Sequence, residues 1–539
     1  MMNDSPRRID RPRIGERRSA SRGAIRVRAT IEAEVEARVG GAGPIGAMPH
    51  AAVSQDSRRG GPWSRRPGFN ALVAVLIAGC AASPPYEVPS TPTPPTFKEA
   101  PAAGAAWLPA APADALDRGD WWTLFGDADL DRLAAQVTVS NQNVAAAVAA
   151  YAQAQALVRE QRASLFPSLG LDVSARRSGG RGNASSSGTA LQASLGASWE
   201  PDLWGRLRNT VEAASAGAAA SEADLAAARL SAQGELAINY FSLREADAEI
   251  DLLRSAVEAY ERSLQITRNR YAVGVIAKTD VLQAETQLAS TRADLASLQG
   301  QRARLEHAIA VLIGKAPADF ALAPAPWRHS VPAVPLGVPS LLLQRRPDIA
   351  AAERDVAAAN AQIGIQRSAY FPNLSLSGSL GAAGSRVADL FSASGTLWAL
   401  GVSVAQTVFD AGATRARVAG AEASRDVAIA RYRQTVLSAF QAVEDQLAMT
   451  RVLVEQEALR REASAAADAT ETQVLNRYRA GQLNYTEVVT AQVSALNARR
   501  ALLQLALSRQ TSAVSLIQAL GGGWHQPLST AQASRIETP

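Results

Sequence analysis

The chain has 539 residues, with 55 Lys and Arg against 50 Asp and Glu, a formal net charge of +5. The excess is local. Residues 1–79 hold fourteen arginines and seven acids, while the rest holds 41 basic and 43 acidic residues, so a nucleic-acid reading loses its main support. One cysteine, Cys80, excludes a disulfide framework and a thiolate metal cluster.

In chain order, Arg58, Arg59, Arg65 and Arg66 precede an apolar run over 69–78 that is too short to span a bilayer. That is the layout of a secretory signal, and it makes 1–79 a leader. Leu76-Ile77-Ala78-Gly79 directly before the sole cysteine resembles a bacterial lipobox. The resemblance implies cleavage before Cys80 and covalent lipid on its thiol and new amino group, with no other cofactor. Ala81 in place of an acid at the next position implies sorting to the outer membrane. Residues 1–47 match no part of a signal, and translation is expected to start at Met48.

Residues 80–126 read as a Pro-, Ala- and Thr-rich tether, joined at Trp121, Trp122 and Phe125 to the start of an ordered body. Asp127 or Asp129 can cap a short helix carrying Leu130, Leu133 and Val137. Asn141 starts a second, alanine-rich helix, which Phe166-Pro167 ends by forcing the residue before proline out of the α region. Leu169, Leu171 and Val173, then Leu191, Ala193, Leu195, Ala197 and Trp199, alternate with small polar residues across a Gly/Ser-rich loop. Two strands over about 168–200 fit a transmembrane β-hairpin; composition alone leaves a soluble sheet edge equally open.

No proline occurs from Asp202 to Ala316. A helix from about Arg206 to Tyr271, interrupted only by Gly217 and Gly234, spans about 100 Å, against a bilayer core of roughly 30 Å. Arg270-Tyr271-Ala272-Val273-Gly274 ends it, and Thr279-Asp280-Val281 starts a return helix to about Ile313. Glycine supplies the positive φ that closes a helix. Thr with a nearby acid is expected to cap the next one and to complement its positive end. The stretch about 271–279 is therefore the tip of a long helical hairpin.

After a Pro-rich linker, 317–346, the pattern returns. Arg162 aligns with Arg367, Phe166-Pro167 with Phe371-Pro372, Asp202 with Asp410, Gly205 with Gly412, and Gly314 with Gly521. At an offset of 207 the tip returns as Arg477-Tyr478-Arg479-Ala480-Gly481, followed by Thr486-Glu487-Val488. This gives repeat 1 over 127–316 and repeat 2 over 347–524, with a β-hairpin about 373–409, a second tip about 478–486 and a tail, 525–539. The fold class is mainly α with a transmembrane β part and an internal two-fold repeat, as one gene duplication would leave it. Four strands cannot close in lipid, where an open edge leaves backbone groups unpaired. Bacterial barrels begin at eight strands, so two copies are the minimum and three would give twelve.

The lipobox, Trp122-Thr123-Leu124-Phe125-Gly126-Asp127 and Trp204-Gly205-Arg206 together resemble the TolC/OprM-type outer-membrane efflux lipoproteins, the NodT group. So do Leu342-Leu343-Gln344-Arg345-Arg346-Pro347-Asp348-Ile349, Tyr370-Phe371-Pro372 and Ala519-Leu520-Gly521-Gly522-Gly523-Trp524. The resemblance implies a homotrimer in the Gram-negative outer membrane: a twelve-stranded β-barrel above a long-helix α-barrel, with an equatorial collar. It also implies a periplasmic membrane-fusion adaptor and an inner-membrane RND-type pump as partners, for export of drugs or other small molecules. A duct for type I protein secretion is the alternative. No phosphate loop, Ser/His/Asp signature or His pair at metal-ligand spacing argues for an enzyme or a metal site.

For the tips, the resemblance implies an acidic constriction ring at Glu487, with Thr490 where relatives carry a second acid. It implies a gate hydrogen bond between Tyr478 and Asp280, and no second latch, since Leu483 replaces a companion Arg. The residues read by themselves give Asp280 and Glu487 as helix-end acids, a role that can coexist with gating. Tyr271, Gly274, Thr279, Gly481 and Thr486 are the candidates for adaptor docking.

Overall fold

In the computed structural model, the residues described are 84–99, 119–178, 188–332 and 345–522. Cys80, the leader, the Gly/Ser-rich loop over 179–187, the linker over 333–344 and the tail over 525–539 lie outside them.

Residues 84–99 hold no helix or strand, but the reading of a free tether is corrected for them: Phe97 is buried in a cluster with Ile349, Tyr432 and Phe440, and Asn360 donates to the Pro84 carbonyl at 3.0 Å. After a 3-10 turn at Trp121–Phe125, α1 (Ala128–Ser140) is capped by Asp127, whose carboxylate accepts from the backbone N–H groups of Asp129 and Leu130. Asn141 caps α2 (Gln142–Ala163) in the same way. The hairpin β1 (Ser168–Ser178) and β2 (Gly188–Trp199) follows, then α3 (Arg206–Ala272) and α4 (Lys278–Leu312). The second series is α5 (Pro347–Ser368), β3 (Asn373–Gly384), β4 (Thr396–Ala405), α6 (Ala413–Arg479) and α7 (Tyr485–Ala519). The two series match in length: α3 and α6 have 67 residues each, α4 and α7 35 each.

Gly217 and Gly234 do not interrupt α3. A single glycine costs a helix about 1 kcal/mol, little against the packing of α3 along α2, α4, α5 and α7. Each long helix begins behind an aspartate: Asp202 accepts from Leu207 N and Arg208 N, and Asp410 from Gly412 N and Thr414 N. The fourth strand ends at Ala405, short of the predicted 409, since the chain must turn into the Asp410 cap.

The four strands form one antiparallel sheet in the order β1-β2-β3-β4. In its register Leu171, Leu195, Leu380 and Trp398 lie in one row across all four strands. That row is apolar and exposed, as are Leu169, Val173, Leu400, Val402 and Val404. Serines pair elsewhere in the sheet, Ser168 with Ser198 at 2.8 Å and Ser375 with Ser403 at 2.7 Å. β1 and β4 each have one edge without a partner strand among the described residues. No helix among the described residues is long and apolar enough to cross a membrane.

The largest core lies where α1, α2, α3, α4 and α7 meet, around Trp121, Leu130, Leu236, Tyr240, Phe241, Ile309 and Ile517. It is pinned by buried Arg244, which donates to Asp247, Asp129 and the Ala323 carbonyl at 3.2, 3.1 and 2.8 Å. Arg302 joins the same Asp247 at 2.6 Å and the Leu322 carbonyl at 2.5 Å. The chain after α4 is thereby fastened to the middle of α3. A separate cluster closes the tips.

Candidate functional site: the hairpin tips

Both tips are built alike. At the end of α3, Gly274 has φ 75°, its N–H reaches the Tyr271 carbonyl, and Val275 N–H reaches the Arg270 carbonyl, both at 2.9 Å. At the end of α6, Gly481 has φ 76°, and it and Gln482 bond Tyr478 O and Arg477 O at 3.0 Å. These are Schellman ends, which a left-handed glycine permits. The expectation that Thr279 and Thr486 cap the return helices is corrected: the N-caps are Ala277 and Asn484, without side-chain caps. The helices start one residue before each threonine, which puts Asp280 and Glu487 in the first turn, still placed to complement the positive helix end.

The apolar contents of the tip are Tyr260, Leu264, Val281, Ala284, Leu288, Tyr478, Tyr485 and Val488. Tyr485, at the start of α7, is 2% exposed and sits edge-on to Tyr478 at 5.5 Å between ring centres. Its hydroxyl lies 3.2 Å from that of Ser263 on α3. Burial raises the Tyr485 hydroxyl pKa, so it stays neutral.

The hydrogen bond between Tyr478 and Asp280 is not formed. The Tyr478 ring is 3% exposed, and its hydroxyl has no hydrogen-bond partner among the described residues. The two tips are joined instead by Arg270. Its guanidinium donates to the carbonyls of Tyr478 and Arg479 at 2.9 and 2.8 Å, and its central carbon lies 4.7 Å from the Tyr478 ring centre. A second tie runs from Thr486 Oγ1 to Gln283 Oε1 at 3.2 Å. Neither Arg270 nor Tyr485 was singled out from sequence. The available signal was a cation in the last turn of α3, where carbonyls lack partners.

Asp280 is half-buried, and Thr279, Thr486, Glu487 and Thr490 are exposed, as are Tyr271, Gly274 and Gly481. Thr490 bonds the Thr486 carbonyl of its own helix at 2.9 Å. The Glu487 carboxylate has no ion pair or hydrogen bond among the described residues. Further up, Arg268 holds Glu285 at 2.6 Å within the first hairpin, and Arg499 holds Asp468 and Glu471 at 2.8 Å within the second. Arg500 on α7 reaches Glu249 on α3 at 2.5 Å and so joins the hairpins.

The other end of α3, about 100 Å away, borders a cleft of about 400 Å³ lined by Glu200, Asp202, Trp204, Arg206, Phe371 and Gln406. Its polar groups are committed to the fold. Arg206 holds Glu200 at 2.7 and 3.1 Å, and Trp204 donates to the Pro372 carbonyl at 2.7 Å while stacking on Phe371. The described residues contain no group of three or more His, Cys, Asp or Glu able to hold a metal.

Two segments, residues 133–315 and 338–522, match the sequence profile of the family described as outer membrane efflux protein. The probable efflux pump outer membrane protein TtgC of Pseudomonas putida is 32% identical over 479 residues, 87% of this chain and 98% of that protein. The cation efflux system protein CusC of Escherichia coli K12 is 30% identical over 453 residues, 84% and 98% of the two chains. The solved structure of the outer-membrane channel OprN superposes with a TM-score of 0.74 at 31% identity, covering 83% of this chain and all of that one. Matches over nearly the whole length of these proteins agree with the paired helical hairpins and the small sheet: the chain belongs to the outer membrane efflux protein family.

Proposed function

We propose that this chain is one of three identical subunits of a passive exit duct, through which small molecules leave the cell after delivery by an inner-membrane RND-type pump and a periplasmic adaptor. The observation that carries the reading is a four-stranded sheet with two unpartnered edges and an exposed apolar row, joined to helices of 67 residues. An open edge in lipid is prohibitively unfavourable, so β1 of one copy pairs with β4 of the next and three copies close a twelve-stranded barrel. The helices then run into the periplasm, and the tips form the inner mouth. Lipid on Cys80 anchors each subunit to the outer membrane.

Three exposed Glu487 carboxylates near one axis form a ring that favours cations and narrows the pore electrostatically. Asp280, Tyr478 and Thr490 complete the gate region. Tyr271, Gly274, Thr279, Gly481 and Thr486 form the surface on which the adaptor docks, and docking favours the open arrangement by binding it better. Planar-bilayer recording of the purified protein tests the reading. A trimer with discrete, cation-selective conductance is expected; a monomer without pore activity overturns it.

A further inference from the structure

We infer that Arg477 is the between-copy counterpart of Arg270, closing on the last carbonyls of α3 in the neighbouring copy. The inference rests on the trimeric duct proposed above.

Within one chain the Arg270 joint has three parts. A guanidinium from the end of one long helix meets two carbonyls at the end of the other, Tyr478 O and Arg479 O, and covers the Tyr478 ring. At an offset of 207 every part recurs: Arg477 for Arg270, Tyr271 for Tyr478, Ala272 for Arg479. The parts recur unjoined. Arg477 is exposed, and its guanidinium makes no hydrogen bond, ion pair or ring contact among the described residues. The Tyr271 ring is 45% exposed, where its counterpart is 3% exposed. The chain therefore carries a guanidinium without a carbonyl partner on its second tip, and a helix end without a guanidinium on its first.

Symmetry says what joins them. If six hairpins close a ring around a threefold axis, the step from first to second hairpin within a chain resembles the step from second hairpin to the first hairpin of the next. The first step places Arg270 on the α6 end, so the second places Arg477 on the α3 end of the neighbour. The charges agree, because a helix C-terminus carries roughly half a negative charge and attracts a cation in its last turn. The two joints are not equal. Tyr485, which packs edge-on against Tyr478, has Lys278 as its counterpart at the same offset. The joint between copies thus lacks an aromatic plug and sets a second cation near Arg477. It is the weaker of the two, and the mouth opens between copies rather than within them.

The test uses the full-length trimer in detergent, with Arg477→Cys and Ala272→Cys together and a short bis-maleimide as cross-linker. Bands of two and three chain masses on a denaturing gel are expected, with none from the parent protein, whose only cysteine is Cys80. A trimer by light scattering that yields only single-chain bands overturns the latch and leaves the duct standing. A monomer by light scattering overturns both. In bilayers, Arg477→Ala is expected to raise conductance several-fold and Arg477→Lys to restore part of the difference. Conductance unchanged in Arg477→Ala overturns the latch even where the cross-link forms.

Discussion

Arg270 covers the ring of Tyr478 and donates to its carbonyl oxygen at 2.9 Å, yet the Tyr478 hydroxyl is buried without a partner. The closing contact between hairpins thus runs through backbone and ring face, not through the phenol. Tyr478→Phe is expected to leave conductance unchanged and to be neutral or stabilising by about 1 kcal/mol, because it removes an unsatisfied buried group. Arg270→Ala removes two charge-assisted hydrogen bonds and is expected to raise conductance several-fold. Single-channel recording of the two variants side by side checks the assignment. A rise in Tyr478→Phe alone would return the gate to the hydroxyl.

A second prediction concerns the middle of the molecule. Arg244 is 1% exposed and holds Asp247, itself 5% exposed, at 3.2 Å. Without Arg244, Asp247 keeps only Arg302, and Asp129 and the Ala323 carbonyl lose their shared donor, a loss approaching that of a buried pair broken outright, about 3–5 kcal/mol. Arg244→Ala is expected to reduce the folded protein recovered from membranes sharply and to lower its thermal midpoint. The exposed pair Arg254 and Asp251, at 3.1 Å, serves as control. Arg254→Ala should change stability by less than about 1 kcal/mol.

Much of this architecture is legible in sequence because long proline-free runs and paired glycines are local signals. The boundary of α3, read as Arg206 to Tyr271, is observed as Arg206–Ala272. Asp127 and Asn141 act as the caps their positions suggest. The tip threonines differ from expectation because side-chain type alone does not set where a helix starts. Ala277 and Asn484 begin their helices through backbone geometry alone. Contacts between hairpins were not legible at all. A repeat says which residues are equivalent, but not which of them face a neighbour: Arg270 recurs as Arg477, and nothing local tells which of the two bonds within the chain. The phenol-to-carboxylate bond is implied by resemblance alone, and the contact observed between the tips is that of Arg270 with the Tyr478 and Arg479 carbonyls.

Stability should also depend on pH near neutrality. Glu245 and Glu249 lie one turn apart on α3, both buried, with Arg500 2.5 Å from Glu249. Burial first, then the neighbouring Glu249, push the Glu245 carboxyl from 4.5 up to about 7, against the pull of Arg500. Between those values the folded chain holds a proton that the unfolded chain releases. Stability therefore falls as pH rises through the window and is lowest above it. Glu245→Gln keeps the hydrogen-bonding shape without the charge. It is expected to leave the midpoint near pH 4.5 unchanged and to stabilise at pH 8 by on the order of 3 kcal/mol per chain. Thermal unfolding from pH 4.5 to 8 checks this, and a pH-independent difference between variant and parent would refute it.

Gly481 and Gly314 both close helices with positive φ, 76° and 71°, but they differ in what surrounds them. A Cβ at Gly481 meets nothing within 4 Å, whereas one at Gly314 meets the Ser140 carbonyl, a backbone group that cannot step aside. Gly481→Ala costs only the left-handed strain, about 1–2 kcal/mol. The trimer should form normally, with a thermal midpoint a few degrees lower. Gly314→Ala must separate α4 from the junction of α1 and α2 and is expected to fail in assembly. This contrast tests the proposed docking surface. If adaptor capture drops in Gly481→Ala while the midpoint holds near the parent value, the loss belongs to the tip surface and not to unfolding. Capture equal to the parent protein would show that the adaptor does not approach the backbone at this glycine.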